Sequence, residues 1–581
     1  MNSREVERYS NHTTLSKDDP QYWNFSFDEI GRYDVAAGVD HVLNATGAER
    51  LTLVGLSQGV TSILVLLSTR PEYNDKVDLV VAYGPVANLS HVKPPLSVVI
   101  PIAPLLPALY PVSRAGYLGA SEGLSVLFAQ LCKILTGEVC SLAATITLVS
   151  SPYQLNETRV PMYLGHFPIG TTIQNLLHFY QCELIRYFDY PCEISYVTTD
   201  DGYVLEVDRV PRGRQGNATA AEEQNGASRH PVLFVPVFTS ASDIWFINFP
   251  SQSPGFLFAD AGFDVWSMNS REAERYSNHT TLSKNDPEYW KFSFDEMGRY
   301  DVAAGVDHVL NATGAEKLTI VAFSQGVTTT LVLLSTRPEY NDKVDLVVAY
   351  GPVANLSYIT PPFSLVVPFA PLLTALYPVS RAGYLGASEG LSVLFAQLCK
   401  ILTGEVCSLA ATITHASSPY QLNETRVPMY LGHFPIGSTI QNVLHFYQAA
   451  APLSSEVTSI SRTQDGVTDT ALLQVYKAKE FVMYDHGPME NVERYNQATP
   501  PSYPLERITT PWALFSSDGD QGADPRDVKG LVARLGSRVI LHRVVPQKDF
   551  GHADFAIGYR SNDFLHNVAI DVVKQQIGQS E

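Results

Sequence analysis

The stretch L-T-I-V-A-F-S-Q-G-V, residues 318–327, decides the fold of this chain. Its apolar and β-branched beginning predicts a buried strand, and the residues after the serine predict a helix that starts at once. A serine on such a turn is typical of a nucleophile elbow, which holds the hydroxyl clear of the sheet. Ala322 stands where the G-x-S-x-G pattern has its first glycine, and we expect the elbow to tolerate the added methyl group. Ser324 is therefore the candidate nucleophile.

The chain around this turn alternates between strand-like and helical patterns. Short apolar runs with helices between them are typical of a mostly parallel sheet that is buried on both faces. The predicted strands are 194–198, 203–210, 232–237, 263–268, 318–322, 344–350, 512–516 and 539–545, and the predicted helices are 294–313 and 325–334. The fold class is therefore α/β.

A serine becomes a strong nucleophile only when a histidine takes its proton and a carboxylate orients that histidine. In this fold class the acid and then the histidine follow the serine along the chain. His552, after the last predicted strand, is the candidate base. The loop after strand 512–516 carries Asp518, Asp520, Asp524 and Asp527, and its position favours Asp518 or Asp520; the other interpretation is a solvated turn or a helix cap.

The chain contains a long internal repeat. Residues 1–181 recur without gaps as residues 268–448, and residues 108–147 are identical to residues 375–414. We interpret residues 182–581 as one complete unit and residues 1–181 as a partial copy. The copy lacks the acid, the histidine and the counterpart of strand 232–237, which we call the oxyanion strand because an N–H group at its end would bind the oxyanion of the reaction. Ser57, the copy of the candidate nucleophile, is therefore expected to be non-functional.

Composition narrows the function classes. The 581 residues are 45% hydrophobic and 17% charged, which is typical of a globular chain, and the net charge of -19 argues against a nucleic-acid partner. The six cysteines include no C-x-x-C pair, so we expect neither a metal site nor a cofactor. No signal peptide is predicted after Met1, because the first residues are polar and charged.

Glycosylation sequons point to the secretory pathway. An N-x-S/T pattern occurs at Asn11, Asn24, Asn44, Asn88, Asn156, Asn217, Asn278, Asn311, Asn355 and Asn423. We expect a glycoprotein, the alternative being unused sequons in a cytosolic chain.

Several long motifs carry a family resemblance. They are Y-P-C-E-I-S-Y-V-T-T-D-D-G-Y-V-L, F-A-D-A-G-F-D-V-W-S-M-N-S-R, F-S-F-D-E-M-G-R-Y-D, Y-L-G-H-F-P-I-G-S-T-I-Q-N, R-Y-N-Q-A-T-P-P-S-Y and G-H-A-D-F, together with the elbow. Residues 182–581 resemble the acid lipase family, which includes gastric lipase and lysosomal acid lipase. The resemblance implies an α/β-hydrolase with a helical cap and a triad of Ser324, Asp520 and His552.

The resemblance also implies a substrate class and a compartment. Neutral lipid esters such as triacylglycerols or steryl esters would be cleaved at a lipid–water interface, and the protein would be secreted or lysosomal. The cap would span about 361–425. Cys399 and Cys407 lie close enough within it for a disulfide, although two free buried cysteines are the other interpretation.

Two departures from the family pattern bear on activity. The resemblance places the oxyanion donors on the backbone N–H groups of Phe238 and Gln325, but Pro236 and Val237 replace the family's histidine and glycine. Glu272 stands where the family has a glycine. An alternative function is therefore a catalytically impaired, lipase-like protein that binds or stores lipid.

Overall fold

The computed structural model divides the chain into two compact units, Met1–Tyr187 and Phe188–Glu581. The structure describes residues 1–86, 182–214, 229–361, 436–449 and 481–578, with scattered positions between 117 and 175 and between 364 and 433. Most of the predicted cap, with Cys399 and Cys407, lies outside the described residues.

The second unit is built on a sheet of nine strands. They are β1 Glu193–Thr198, β2 Tyr203–Val210, β3 Pro231–Val235, β4 Asp264–Met268, β5 Ser277–His279, β6 Leu318–Phe323, β7 Val344–Tyr350, β8 Trp512–Ser517 and β9 Val539–Val545. The spatial order is β9-β8-β7-β6-β3-β4-β2-β1, with β5 paired to β2. The pairs from β4 to β9 are parallel, and β2 is antiparallel to each of its neighbours. The prediction of a mostly parallel α/β sheet is confirmed.

Helices cover this sheet. They are α1 Pro254–Asp260, α2 Ala303–Thr313, α3 Gln325–Thr336, α4 Ile440–Ala449, α5 Pro488–Tyr495, α6 Pro525–Leu535 and α7 Asn567–Gly578. Strand β6 and helix α3 are buried along nearly their whole length. Because β6 lies between β3 and β7, its carboxyl end delivers the elbow to the middle of the sheet edge.

The predicted helix 294–313 is one continuous helix made of three consecutive segments. A capped first turn, Phe294–Glu296, leads into a π-helical segment, Met297–Val302, and then into α2. At Gly298 an added Cβ would lie 2.6 Å from the carbonyl oxygen of Thr329 in α3. The glycine therefore permits a close helix contact, which a hydrophobic period alone does not reveal.

The oxyanion strand is shorter than predicted. The sequence pattern extends it to residue 237, but β3 ends at Val235. Pro236 has no backbone N–H to continue the ladder, so the chain turns away from the sheet at this point. The start of this turn lies against the elbow, since a Cβ on Gly326 would be 2.8 Å from the carbonyl oxygen of Pro236.

The first unit holds a two-stranded parallel sheet, Leu51–Leu56 with Val77–Tyr83. Its helices include Ala36–Thr46 and Gln58–Thr69. Val54 is 63% exposed and Leu79 is 56% exposed, whereas Val321, the counterpart of Val54 in the second unit, is fully buried. Within this unit the sheet therefore leaves apolar side chains uncovered that the larger sheet buries.

Among the described residues, no helix is both long and apolar enough to cross a membrane.

Candidate active site

The elbow lies between β6 and α3. Ser324 has φ 53° and ψ -115°, a conformation that L-residues rarely adopt, and it is 6% exposed. An added Cβ on Gly326 would lie 2.5 Å from the carbonyl oxygen of Val235 and 2.8 Å from that of Pro236. Only glycine fits here, because the turn after β3 lies directly against the first turn of α3.

The methyl group of Ala322 is accommodated, as expected. In the first unit the matching Gly55 has no Cβ, and one placed there would lie 2.9 Å from Ile63 Cδ1. The second unit has Thr330 where the first has Ile63, and threonine has no δ carbon. The ψ angles of Ser57 and Ser324, -121° and -115°, are nearly equal. The shorter side chain therefore removes one of the three contacts within 3.0 Å that a Cβ would make at Gly55. The other two are to backbone atoms, Val60 N at 2.9 Å and the carbonyl carbon of Gly59 at 3.0 Å.

The serine, histidine and acid proposed from the sequence meet at this edge of the sheet. His552 Nε2 lies 2.7 Å from Ser324 Oγ, and His552 Nδ1 lies 2.7 Å from Asp520 Oδ1. An ionised carboxylate can only accept, so the proton belongs on Nδ1 and leaves Nε2 free to accept from the serine hydroxyl. The three side chains thus form one hydrogen-bonded chain in a nearly buried site.

Asp520 is held rigidly. Its Oδ1 also accepts from the backbone N–H groups of Gly522 and Ala523, at 2.8 and 2.7 Å, while its buried Oδ2 has no hydrogen-bond partner among the residues that the structure describes. Of the other candidates, Asp524 caps α6 and Asp527 accepts from the backbone N–H of Tyr358. Of the two acids that the sequence left open, Asp520 is the one that the structure brings to His552.

The loop that carries His552 is fixed by a buried carboxylate. Asp554 Oδ2 accepts from the backbone N–H of Gly551 at 2.6 Å, and Asp554 Oδ1 accepts from the Ser417 hydroxyl. Burial raises the pKa of Asp554 to about 7, against the lowering effect of these hydrogen bonds. The sequence indicated only that Asp554 belongs to the G-H-A-D-F motif.

The two predicted oxyanion donors lie on segments that touch. Among the described residues, no hydrogen bond engages the backbone N–H of Phe238 or of Gln325. The ring of Phe238 packs edge-on against Phe446 of α4, with ring centroids 5.5 Å apart. Val237 is buried, so its β-branched side chain fits the turn.

A buried carboxylate adjoins both segments. Glu272 Oε2 accepts from the Thr239 backbone N–H at 3.2 Å and from Gln325 Nε2 at 2.8 Å, and Glu272 Oε1 accepts from Asn442 Nδ2 at 3.0 Å. Burial raises the pKa of Glu272 to about 7, and hydrogen bonds from Ser438, Gln325, Asn442 and Thr239 oppose the rise. The sequence marked Glu272 only as a departure from a pattern and did not predict this network.

The first unit repeats part of this arrangement. Ser57 has φ 52°, and Gln58 Nε2 donates to Glu5 Oε2 at 2.8 Å. Asn175 Nδ2 donates to Glu5 Oε1 at 3.0 Å. Within the described part of this unit, no hydrogen bond reaches the Ser57 hydroxyl.

The disulfide bonding of two cysteines was not predicted from the sequence. Cys182 and Cys192 are both disulfide-bonded. Their sulfurs offer no thiolate for a metal ion. Their close spacing could have indicated this, since only nine residues lie between them.

The order of the strands, the strained backbone of Ser324 and the hydrogen bonds that join Ser324, His552 and Asp520 define the protein class as an α/β-hydrolase. Two family models match accordingly: the partial alpha/beta-hydrolase lipase region over residues 182–249 and the alpha/beta hydrolase fold over residues 230–372.

Curated relatives narrow this class. Gastric triacylglycerol lipase of Bos taurus is 32% identical over 397 residues, a match that covers 68% of this chain and 90% of that protein. Lysosomal acid lipase/cholesteryl ester hydrolase of Homo sapiens is 31% identical over 397 residues, with the same coverage. Lipase member M of Homo sapiens is 30% identical over 398 residues, covering 68% of this chain and 85% of that protein. The chain belongs to the acid lipase family, a family of carboxylic ester hydrolases.

Proposed function

We propose that this protein is a lipase that cleaves neutral lipid esters through a catalytic triad of Ser324, His552 and Asp520. The observation that carries the proposal is the pair of 2.7 Å hydrogen bonds that join the three side chains in this order. The order along the chain, serine, acid and histidine, is the one that α/β-hydrolases use.

The geometry supports the following reaction. His552 Nε2 takes the proton of Ser324 as the oxygen attacks the ester carbonyl, and Asp520 stabilises the imidazolium that forms. The N–H groups of Phe238 and Gln325 donate to the oxyanion. The imidazolium then protonates the alcohol that leaves, and an acyl-enzyme remains. Water deprotonated by the same histidine attacks this ester and releases the fatty acid.

The proposed substrate class rests on the relatives in the family and on the net charge of the chain. Two relatives are named for triacylglycerol and cholesteryl ester hydrolysis, and these are uncharged lipids. A chain with a net charge of -19 does not repel an uncharged substrate, whereas it does repel an anionic one. We therefore propose that the enzyme acts on triacylglycerols or steryl esters at a lipid–water interface.

The first unit is proposed to be a partial, inactive copy. Its Ser57 keeps the strained elbow backbone. A serine without a base remains a weak nucleophile, and the repeat supplies neither the acid nor the histidine. One hydrolytic site in the chain is the expected result.

The compartment is proposed to be secretory or lysosomal. Asn278 and Asn311 of the second unit are exposed sequon asparagines, accessible to glycosylation. Disulfide-bonded cysteines persist in oxidising compartments, and Cys182 and Cys192 are both disulfide-bonded. These observations agree with the compartments in the names of the relatives.

The test compares two serine variants of the full-length glycosylated chain. Hydrolysis of emulsified trioleoylglycerol and of nitrophenyl butyrate is measured for the wild type, Ser324→Ala and Ser57→Ala. We expect Ser324→Ala to abolish turnover and labelling by a fluorophosphonate, and we expect Ser57→Ala to leave both unchanged. Binding of the lipid without hydrolysis by the wild type would overturn the proposal and favour a lipid-binding or storage role.

A further inference from the structure

Both oxyanion donors belong to segments that need external support. Thr239, the residue after Phe238, has φ 55°, in the left-handed region that a β-branched residue rarely occupies. Its carbonyl oxygen accepts from the backbone N–H of Ile436 at 2.9 Å, and its own N–H donates to Glu272. These two bonds help to hold the turn in this conformation.

The other donor lies on the first residue of α3. The side chain of Gln325 is 3% exposed and is held at both ends. Its Nε2 donates to Glu272 Oε2 at 2.8 Å, and its Oε1 accepts from Asn442 Nδ2 at 2.8 Å. The orientation of this residue, and therefore of its backbone N–H, is tied to the same carboxylate.

We infer that Glu272 is a positioning residue whose single oxygen Oε2 connects the two backbone segments of the oxyanion hole and sets the distance between their N–H groups. It touches neither the nucleophile nor the substrate. Its effect on the reaction passes through Thr239 to Phe238 and through the side chain of Gln325 to its backbone.

The surroundings of Glu272 fit an acceptor and not a donor. Three of its neighbours can only donate, namely Thr239 N–H, Gln325 Nε2 and Asn442 Nδ2, and the fourth is the Ser438 hydroxyl. Among the described residues, the groups that shift its pKa are uncharged. A carboxylate accepts from all of these donors, whereas an amide that keeps its oxygen at the Oε2 position must turn its NH2 group toward Asn442 Nδ2 and the Ser438 hydroxyl.

Helix α4 supports the same hole from the side. Asn442 belongs to the Glu272 network, and Phe446, one helical turn later, packs on Phe238. Asn442 Oδ1 also accepts from the backbone N–H of Phe294 at 2.8 Å, which fixes the amide orientation that donates to Glu272.

The inference rests on the proposed hydrolysis, and its test separates the two. Glu272→Gln keeps the size of the side chain, removes its charge and places an NH2 group against Asn442 Nδ2, the group that also holds the side chain of Gln325. Glu5→Gln is the matched control in the first unit. We expect Glu272→Gln to lower kcat about 10- to 100-fold, less than the ~10²–10³ of a donor lost outright, while KM changes by less than about threefold. We expect Glu5→Gln to leave both constants unchanged.

A second variant covers a folding failure of the first. Gln325→Met keeps the backbone N–H and removes the amide that donates to Glu272, and Gln58→Met is its control. It should also lower kcat and slow fluorophosphonate labelling of Ser324, because the phosphonyl oxygen occupies the same hole.

The outcomes separate the two proposals. An active wild type with unchanged kcat in both Glu272→Gln and Gln325→Met would refute the positioning role and leave the proposed function intact. An inactive wild type would refute the proposed function itself.

Discussion

The elbow of the second unit depends on a pair of side chains, Ala322 and Thr330, that matches the pair Gly55 and Ile63 of the first. Ala322 and Thr330 are both fully buried. The perturbation is Thr330→Ile, which places a δ carbon where the first unit has one, about 2.9 Å from the Ala322 methyl group by the geometry at Gly55. This distance is well inside normal contact, so a side chain or the start of α3 has to move.

The magnitude follows from overpacking. Inserting a group into a packed core costs about 1–3 kcal/mol in the free energy of unfolding. The carbonyl oxygen of Gly326 loses the hydroxyl of Thr330 at 2.7 Å but keeps that of Thr329 at 3.0 Å, so no buried acceptor is left unpaired. For a unit of about 400 residues this loss corresponds to a Tm lower by about 1–4 °C.

The assay is a double-mutant cycle with Ala322→Gly. Ala322→Gly alone should destabilise by about 1 kcal/mol, through a lost methyl contact and added chain entropy. In the double variant the glycine removes the clash, so we expect a coupling of about 1 kcal/mol or more in favour of the pair. Tm and the rate of fluorophosphonate labelling of Ser324 are measured for the four proteins. Additive losses would refute the argument that Thr330 makes room for Ala322.

Two further predictions concern buried carboxylates. In Asp520→Asn the amide oxygen can accept all three hydrogen bonds of Oδ1 and place its NH2 at the unpartnered Oδ2, so His552 should keep its Nδ1 proton. The catalytic contacts are kept and the negative charge is lost, while the buried NH2 group finds no acceptor among the described residues. The loss of charge predicts a kcat lower by about 10³-fold, from about 4 kcal/mol at ~4 Å and an effective dielectric of ~20; an NMR spectrum of His552 without the Nδ1 proton would contradict this. Asp554 has a pKa raised to about 7, so its contribution to stability is present in acid and is lost as the pH rises through 7. The wild type should therefore exceed Asp554→Asn in the free energy of unfolding by about 1 kcal/mol more at pH 6 than at pH 8, and an equal difference at both pH values would refute the assignment.

The main features of the fold could be predicted because they rest on local patterns. The apolar runs of β6 and β7 are long and buried on both faces, and β6 runs directly into a helix, so periodicity alone locates them. The end of β3 was predicted two residues too late, because Val237 continues the apolar pattern while Pro236 interrupts the hydrogen bonding.

The candidate site was predictable where a residue type and its place along the chain suffice. Ser324 follows from the turn, and His552 follows from its place after the last strand. Asp518 and Asp520 could not be separated by pattern alone, since both follow the same strand. Only the folded loop shows that Oδ1 of Asp520 faces His552 Nδ1.

By itself, the sequence determined the α/β class, the repeat, the serine of the elbow and the family. These features depend on residues that are neighbours along the chain, where sterics and periodicity act directly. The tertiary structure alone decided that Glu272, Gln325 and Asn442 share one network, because 53 and 170 residues separate Glu272 from its two partners. Burial gives these contacts their strength, since a carboxylate withdrawn from water must find its donors within the fold. No local sequence pattern shows which distant residues will supply these donors.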